Sequence, residues 1–506
     1  MFPRTFFFDM IIDWILWLVF GAYTLAALGL MIYGLNTYVL LFLYGRKIKE
    51  TRERQAEQEK SFLAEVAEKG DEGWPLVTTQ IPLYNELNVA DRVIRKVAEI
   101  DYPEGRHQIQ VVDDSTDETC GIVDAVVAEL SAKGVNISVA RREGREGYKA
   151  GGLKAAEGTA TGEFLAIFDS DFLPEPDFLR KMIPLFRDEK TALVQARWGH
   201  LNAEESMLTK AQSVGIDGHF VVEQVARAEN DLFLNFNGTA GVWRREAIAD
   251  GGGWQADTLT EDLDLSYRCQ MKGWKLEYAI DVVVPAELPE TFSAFKSQQF
   301  RWAKGSVQTA KKLIKKVYAS DISPLAKMQA SFHMLHYVAH LMMRTLALLA
   351  VPLTLVLQKF SGIGGTAFLL LPLMVATAGP SILYLVAQQY LHPESWKKRI
   401  FWLPGMVTIG FGICLSNTKA VLEAIFGVKS GFIRTPKKGD KMTKSYKTKI
   451  DWIPYGEIFM GFYCCATMAV ALVQGVLGGL VFFFFYGIGF LVTGFNSLKE
   501  QKAGSS

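Results

Sequence analysis

Long uncharged runs constrain this chain most, because an apolar stretch of about 20 residues or more can cross a lipid bilayer as a helix. One such run covers Trp14 to Tyr44, another covers Gly364 to Tyr390, and a third, about twice the length of one crossing, covers Ile458 to Phe495. With 506 residues, 49% hydrophobic and 21% charged, the chain is too long and too apolar for one soluble domain. We expect membrane-spanning helices at both ends and a soluble domain between them.

Basic residues next to these runs predict the topology. Five of them directly follow the first run: Arg46, Lys47, Lys49, Arg52 and Arg54. This flank places its end of the helix in the cytoplasm and the N-terminus outside. Residues 1–45 are therefore predicted to be an anchor, since the run is too long for a signal-peptide core, and 46–73 a helical cytoplasmic linker. Residues 453–506 are predicted to form a hairpin of two spans and a cytoplasmic tail.

Two further apolar segments are ambiguous. Phe332 to Leu357 carries three histidines and Arg344, so its first half lies at the interface, faces a polar cavity or snorkels from a span end. Ile400 to Phe426 could cross, but both of its flanks are basic, which favours an interfacial or re-entrant segment. Residues 318–398 are thus predicted to hold an interfacial helix and two spans, and 399–452 an interfacial segment and a loop. The total is five spans.

Residues 74–317 alternate strand-like and helix-like segments, as an α/β domain does. The predicted strands are Leu76 to Ile81, Gln108 to Val112, Ile137 to Ala140, Phe164 to Phe168 and Ala192 to Ala196. The predicted helices are Asn88 to Ile100, Glu118 to Ala132, Ala150 to Glu157 and Pro176 to Phe186. Polar side chains follow three of the strands, which predicts a nucleotide site along one edge of the sheet.

Asp169 and Asp171 stop the apolar strand that begins at Phe164. Their position at the carboxyl end of a buried strand suits a ligand site, and hard carboxylate oxygens suit Mg²⁺ or Mn²⁺. Phosphate oxygens of a diphosphate would complete the coordination. Taken alone, two aspartates separated by one residue also fit a turn.

Net charge and cysteine spacing give no sign of a nucleic-acid partner or of a cysteine metal site. Lys and Arg (54) balance Asp and Glu (54), so the net charge gives no reason to expect nucleic acid as a partner. The cysteines show no metal-binding spacing, and their odd number predicts reduced, structural thiols. They are Cys120, Cys269, Cys414, Cys464 and Cys465.

Three motifs follow the paired aspartates in order: Phe236 to Gly241, Thr260-Glu261-Asp262, and Gln298 to Trp302. With this order the chain resembles the processive, membrane-embedded family 2 glycosyltransferases, more closely the plant cellulose-synthase-like glucomannan and xyloglucan-backbone synthases. The resemblance implies a nucleotide-sugar-binding α/β domain of the GT-A type, inserted between α-helical transmembrane segments. It also implies an inverting, metal-dependent enzyme that elongates and translocates a β-linked polysaccharide, with UDP-glucose favoured as donor and GDP-mannose possible.

The resemblance assigns residues to the donor. Asp113 and Asp114 would contact base and ribose, Asp169 and Asp171 would hold the metal, and Lys149 would lie near the diphosphate, where Gly151 and Gly152 open a helix. The other donor-binding residues would be Pro82, Glu86, Gln298 and Arg301.

Asp262 would be the general base, with Asp264 or a helix-capping role for Asp262 as alternatives. Trp302 would stack on the acceptor sugar. The remaining acceptor residues would be Gly238, Thr239 and Glu261, and a gating loop resembling that of cellulose synthase would contain Phe432, Thr435 and Lys437.

Two other functions stay open. A non-processive lipid glycosyltransferase, resembling ceramide glucosyltransferase, would differ in product length, and a transporter with a nucleotide-sensing domain would need no base at Asp262. The expected partners are a nucleotide sugar, a growing polysaccharide and the bilayer. We expect a multi-pass protein with a cytoplasmic catalytic domain, in the plasma membrane rather than the Golgi.

Overall fold

The computed structural model describes residues 4–359, 363–429, 439, 452–475 and 479–503. The predicted gating-loop residues Phe432, Thr435 and Lys437 lie outside the described residues.

A seven-stranded sheet forms the centre of the α/β domain. Its strands are β1 Val77–Leu83, β2 His107–Asp113, β3 Ile137–Ala140, β4 Phe164–Ile167, β5 Thr191–His200, β6 Gly241–Arg244 and β7 Lys275–Ala286. The strand order is β3-β2-β1-β4-β6-β5-β7. Neighbouring strands run parallel except β6, which is antiparallel to both of its neighbours. All five predicted strands are present, and β6 and β7 are additional.

The two faces of the sheet pack into separate cores, because alternate residues of a strand point to opposite sides. Phe164 and Ala166 join one core, and Leu165 and Ile167 join the other. Every residue of β4 is buried, as expected for a strand covered on both faces.

The helices of the domain are α2 Ala90–Ala98, α3 Thr119–Ala132, α4 Tyr148–Ala156, α5 Phe178–Met182, α6 Met207–Gly218, α7 Gln224–Ala228, α8 Arg245–Asp250, α9 Glu261–Gln270 and α10 Phe292–Ala319, with a π-helix at His219–Glu223.

The reversed direction of β6 positions the site. Six strands bring their carboxyl ends to one edge of the sheet, whereas β6 begins there. Residues 237–240, which precede β6, therefore reach the same edge as the aspartates that follow β4. The pairing of Ile167 with Gly241 places the two segments side by side.

A single helix, α1 (Arg4–Lys69), contains both the predicted anchor and the predicted linker. Its later turns are tied to β7 by ion pairs, Arg54 with Glu277 (2.8 Å) and Arg52 with Asp281 (2.6 Å). Leu40 and Tyr44 of α1 also join the core beneath the sheet. The linker is therefore a continuous extension of the anchor, packed on the α/β domain.

Four helices in the described ranges are long and apolar enough to span a membrane, and they belong to α1, α13, α17 and α18. Two bent pairs raise the number to six if each is one span: α11 with α12, bent by 60°, and Trp396–Gly412 with α16, bent by 45°. Four to six such helices fit a multi-pass membrane protein. The helices after the domain are α11 Pro324–Leu335, α12 Val338–Lys359, α13 Ile363–Leu391, α14 Trp396–Arg399, α15 Leu403–Gly412, α16 Cys414–Phe426, α17 Ile453–Val473 and α18 Leu480–Ala503.

The 45° bend agrees with a re-entrant segment over Ile400 to Phe426 and equally with a broken crossing, so the five-span topology stays a prediction. All five cysteines are free thiols in the structure, and three of them, Cys269, Cys414 and Cys464, are buried.

Candidate active site

A cleft of about 1350 Å³, its open mouth included, runs along the carboxyl edge of the sheet. It brings together residues from both ends of the α/β domain that the sequence predicted for donor, metal, base and acceptor. The predicted residues that line it are Pro82, Glu86, Asp114, Lys149, Asp169, Asp171, Gly238, Glu261, Asp262, Gln298, Arg301 and Trp302. Asp113 and Thr239 do not line it.

The loop before β6 holds the first aspartate after β4. The backbone N–H of Asp169 donates to the hydroxyl of Thr239 (2.8 Å), and the N–H of Ala240 donates to the carbonyl of Ile167 (2.8 Å). Thr239 is buried, so it supports the aspartate from behind rather than facing the cleft. The Asp169 carboxylate is thereby held at the cleft wall.

Lys149 places a positive charge beside this carboxylate. Its Nζ donates to Asp169 Oδ1 (2.5 Å) and to the carbonyl of Gly238 (2.8 Å). Burial lowers the pKa of Lys149, but the carboxylates of Asp169 and Glu261 outweigh burial and raise it overall. The lysine therefore stays protonated at neutral pH, as a residue that binds phosphate must.

Two arginines that the sequence reading missed hold the aspartates after β2. Arg141 donates to Asp113 through Nε (2.9 Å) and Nη2 (2.8 Å), and Arg142 makes a two-pronged contact with Asp114 (2.9 and 2.7 Å). Asp113 is buried and does not line the cleft, whereas Asp114 lines it. The pairing of β2 with β3 was the available signal, because Val112 lies opposite Ala140 and the next residues are therefore neighbours.

The glycines after Lys149 lie inside α4 and do not open it. The helix begins at Tyr148, after Gly147 at φ 72°. A Cβ on Gly151 would lie 2.0 Å from the carbonyl oxygen of Glu146 and 2.5 Å from Nη1 of Arg142. This glycine therefore allows close packing of the helix on the Arg142 loop, which corrects the prediction that it marks a helix start.

Asp262 lies in the first turn of α9 and faces the cleft. Its Oδ1 accepts from the N–H of Leu263 (2.8 Å), and a Cβ on Gly238 would lie 3.0 Å from its Oδ2. Gly238 has φ 85°, so both its conformation and the proximity of the carboxylate favour glycine. Burial and the neighbouring Glu261 charge raise the pKa of Asp262 to about 7, and burial also raises the pKa of Glu261.

Asp264 lies away from the cleft. It is fully buried and pairs with Arg268 (2.8 Å) and Lys312 (2.9 Å). Of the two candidate bases, Asp262 is the one that the fold exposes to a substrate.

α10 closes the far side of the cleft with Gln298, Arg301 and Trp302. The Trp302 ring lies 6.4 Å from that of Trp198 at 50°, and Trp198 also lines the cleft. Burial lowers the pKa of Arg301, although the carboxylates of Asp169 and Glu261 oppose this shift. Trp198, in β5, was missed because one aromatic residue in a strand gives no sequence signal beyond packing.

The lining of the cleft is acidic, with seven carboxylates against three Lys and Arg side chains: Glu86, Asp114, Asp169, Asp171, Glu261, Asp262 and Glu287, against Arg145, Lys149 and Arg301. Such a lining repels a diphosphate unless a cation enters with it. Among the described residues, no group of three or more His, Cys, Asp or Glu side chains could hold a metal alone. Asp169 and Asp171 both line the cleft, and such a donor set fits an ion held by one or two carboxylates and completed by phosphate oxygens.

Comparison with known proteins identifies the family. A model described as "Glycosyltransferase like family 2" matches residues 75–305. Glucomannan 4-beta-mannosyltransferase 9 of Arabidopsis thaliana is 32% identical over 505 residues, which cover 94% of this chain and 91% of the relative. The chain belongs to glycosyltransferase family 2. The predicted resemblance and the GT-A-type α/β domain are confirmed for this family 2 glycosyltransferase, and the flanking helices can span a membrane.

Matches to rice relatives are more similar but shorter. Probable glucomannan 4-beta-mannosyltransferase 7 of Oryza sativa subsp. japonica is 42% identical over 320 residues, or 61% of this chain and 55% of the relative. The chain thus spans about half the length of that protein. Among solved structures, mannosyltransferase PcManGT from Pyrobaculum calidifontis, in complex with GDP-Man and Mn²⁺, aligns with a TM-score of 0.48 and 19% identity, over 80% of this chain and all of that one.

Proposed function

We propose that this family 2 glycosyltransferase is an inverting, processive β-mannosyltransferase that uses GDP-mannose to elongate a mannan or glucomannan chain. The observation that carries the proposal is Asp262, a carboxylate with a pKa of about 7 that shares one cleft with Asp169, Asp171 and Trp302. The plant relatives are named as glucomannan 4-beta-mannosyltransferases, which favours GDP-mannose as donor over the UDP-glucose that the sequence resemblance favours.

Donor binding uses the edge of the sheet. Asp169 and Asp171 would hold Mg²⁺ or Mn²⁺, which supplies charge neutralisation at the leaving diphosphate. Lys149 and Arg301 add protonated donors to the same cleft, and Arg301 can contact two phosphate oxygens at once. Asp114, held by Arg142, accepts hydrogen bonds from ribose or base.

Transfer is a single displacement. The acceptor hydroxyl oxygen bonds to the anomeric carbon while the bond from that carbon to the diphosphate oxygen breaks, and Asp262 takes the hydroxyl proton. A base with a pKa near 7 is ionised in part at neutral pH and still accepts a proton readily as the hydroxyl reacts. Attack on the face opposite the leaving diphosphate inverts the centre, so an α-linked donor yields a β-linkage.

The acceptor lies against α10. Trp302 offers an apolar ring on which a sugar can stack, and Trp198 extends this surface at 6.4 Å. Glu261 and Gly238 line the same part of the cleft beside Asp262.

A donor panel on the purified protein tests the proposal. We expect GDP-[¹⁴C]mannose, and not UDP-glucose alone, to yield a polymer that an endo-β-1,4-mannanase degrades. Excess EDTA should abolish the incorporation, and Mg²⁺ or Mn²⁺ should restore it. A product of one sugar on a lipid would identify the non-processive class. Incorporation from UDP-glucose, with none from GDP-mannose, would exclude mannosyl transfer.

A further inference from the structure

The helix α10 has two chemically different sides. Gln298, Arg301 and Trp302 line the cleft. At about 100° per residue, Lys296 and Lys304 are about 80° apart around the helix axis. Gln298 and Trp302 lie about 120–160° from both lysines, on the other side, and Arg301 lies between the two sides. The contacts of the lysine side are not part of the cleft.

Both lysines form ion pairs with helices from the C-terminal part of the chain. Lys296 Nζ lies 3.1 and 2.8 Å from the two carboxylate oxygens of Glu457, near the start of α17. Lys304 Nζ lies 2.6 Å from Glu423 Oε2, near the end of α16. The side chains of Lys304 and Glu457 are fully buried.

Two charged contacts at helix ends extend this row. The Glu500 carboxylate of α18 accepts from the backbone N–H groups of the first two residues of α10 (2.9 and 2.8 Å). Lys311 donates to the carbonyls of Ala424 and Ile425 at the end of α16 (2.9 and 2.7 Å). Three C-terminal helices thus hold α10 through one set of residues, which we call the α10 clamp: Lys296, Lys304, Lys311, Glu423, Glu457 and Glu500.

The opposite side of α10 packs tightly against the segment that carries the base. A Cβ on Gly305 would lie 2.6 Å from the side chain of Thr260, the residue just before Glu261 and Asp262. The Gln308 side chain accepts from the N–H of Leu259 (3.0 Å). A small rotation of α10 therefore displaces the start of α9 together with the cleft-facing side chains.

We propose that the α10 clamp is a positioning device, which sets the rotation of α10 and with it the aim of Arg301 and Trp302 at donor and acceptor. Stability alone does not explain buried ion pairs, since apolar pairs of similar volume serve stability as well or better. Unlike apolar contacts, hydrogen-bonded ion pairs require a defined distance and angle between their two groups, so they fix the orientation of the helix that carries them. The proposal rests on the proposed function, because a misplacement of about 1 Å can cost about 100-fold in rate when reacting groups must align.

Variants of one pair separate positioning from stability. Lys304→Met with Glu423→Met replaces the pair by apolar side chains, and we expect nearly unchanged thermal stability but at least about tenfold lower kcat. Lys304→Glu with Glu423→Lys exchanges the charges and should recover most of the loss. Arg54→Met is the matched control, because it breaks a partly buried ion pair between α1 and β7, away from the cleft. It should lower the melting temperature while kcat per folded enzyme stays unchanged.

Hydroxyl-radical footprinting of Trp302, read by mass spectrometry, tests the position of α10 without turnover. Oxidation of Trp302 should change at least twofold in the double Met variant and stay at the wild-type level in Arg54→Met. Unchanged oxidation, or changed oxidation with full kcat, would overturn the clamp as a positioning device. If wild type transfers no sugar from any donor, the proposed function fails, while the footprint still decides whether the clamp sets the position of Trp302.

Discussion

At the scale of single residues, the proposed proton transfer depends on Asp262. Asp262→Asn should lower kcat by at least about 100-fold, because the amide cannot accept the hydroxyl proton, while GDP-mannose binding measured by calorimetry stays within several fold. Asp264→Asn is the control at a neighbouring residue. Because Asp264 forms ion pairs with Arg268 and Lys312, this variant should lower thermal stability rather than kcat per folded enzyme. Turnover above a tenth of wild type in Asp262→Asn would place the base elsewhere.

The raised pKa of Asp262 predicts an acidic limb in the rate. The base works only when ionised, so kcat/KM should fall about tenfold per pH unit below about pH 7, with kcat/KM reporting the free enzyme. Glu261→Gln removes a neighbouring negative charge that raises this pKa, so the limb should move to lower pH. If the acidic limb stays at the same pH in Glu261→Gln, the limb does not report the ionisation of Asp262 beside Glu261.

Gly238 should tolerate no side chain. Gly238→Ala places a Cβ 3.0 Å from the Asp262 carboxylate at φ 85°, a conformation that costs an L-residue about 1–2 kcal/mol. We expect a modest loss of thermal stability and a larger loss of kcat, because the base has to shift. Gly134→Ala, at φ 87° with open space around its Cβ, is the control, and it should share only the loss of stability. Equal kcat in the two variants would contradict this account.

At the scale of elements, the link between β3 and the aspartates after β2 should affect donor affinity. Arg142→Ala leaves Asp114 without its two-pronged partner, and we expect the KM for GDP-mannose to rise about tenfold with a smaller change in kcat. Arg142→Lys should rescue little, since a lysine cannot reproduce the fork. Arg95→Ala removes an exposed pair with Glu129 and should change neither constant. An unaltered KM in Arg142→Ala would remove Asp114 from the donor site.

The same elements show what the sequence could predict. Strands with continuous apolar runs, such as β4, were identified because burial on both faces leaves a strong pattern. β6 was missed because only two of its four residues, Val242 and Trp243, are large apolar side chains, and its reversed direction depends on its neighbours in the sheet. Motif order located Asp262 and Trp302, whereas the contacts of Arg141 and Arg142 follow from the pairing of β2 with β3, which the order of motifs does not show.

At the scale of the whole molecule, we predict that Ile400 to Phe426 is an interfacial or re-entrant segment that does not cross the membrane. Both ends of the bent pair are exposed in the structure, at Lys397 and Lys429. In a variant without native cysteines, single cysteines at these positions should react with an impermeant maleimide only after permeabilisation, because the basic flanks favour the cytoplasm. Labelling of one position from outside would make this segment a sixth span.

Continuity of α1 limits which changes of chain length the protein can accept. A helix of 66 residues is about 100 Å long, and each inserted residue turns everything beyond it by about 100° and advances it by about 1.5 Å. One alanine inserted after Gly45 would carry Arg52 and Arg54 away from Asp281 and Glu277, whereas substitutions there leave the phase of the helix intact. Between anchor and sheet, α1 therefore acts as a rigid helix of fixed phase, in which insertions and deletions are far more damaging than replacements.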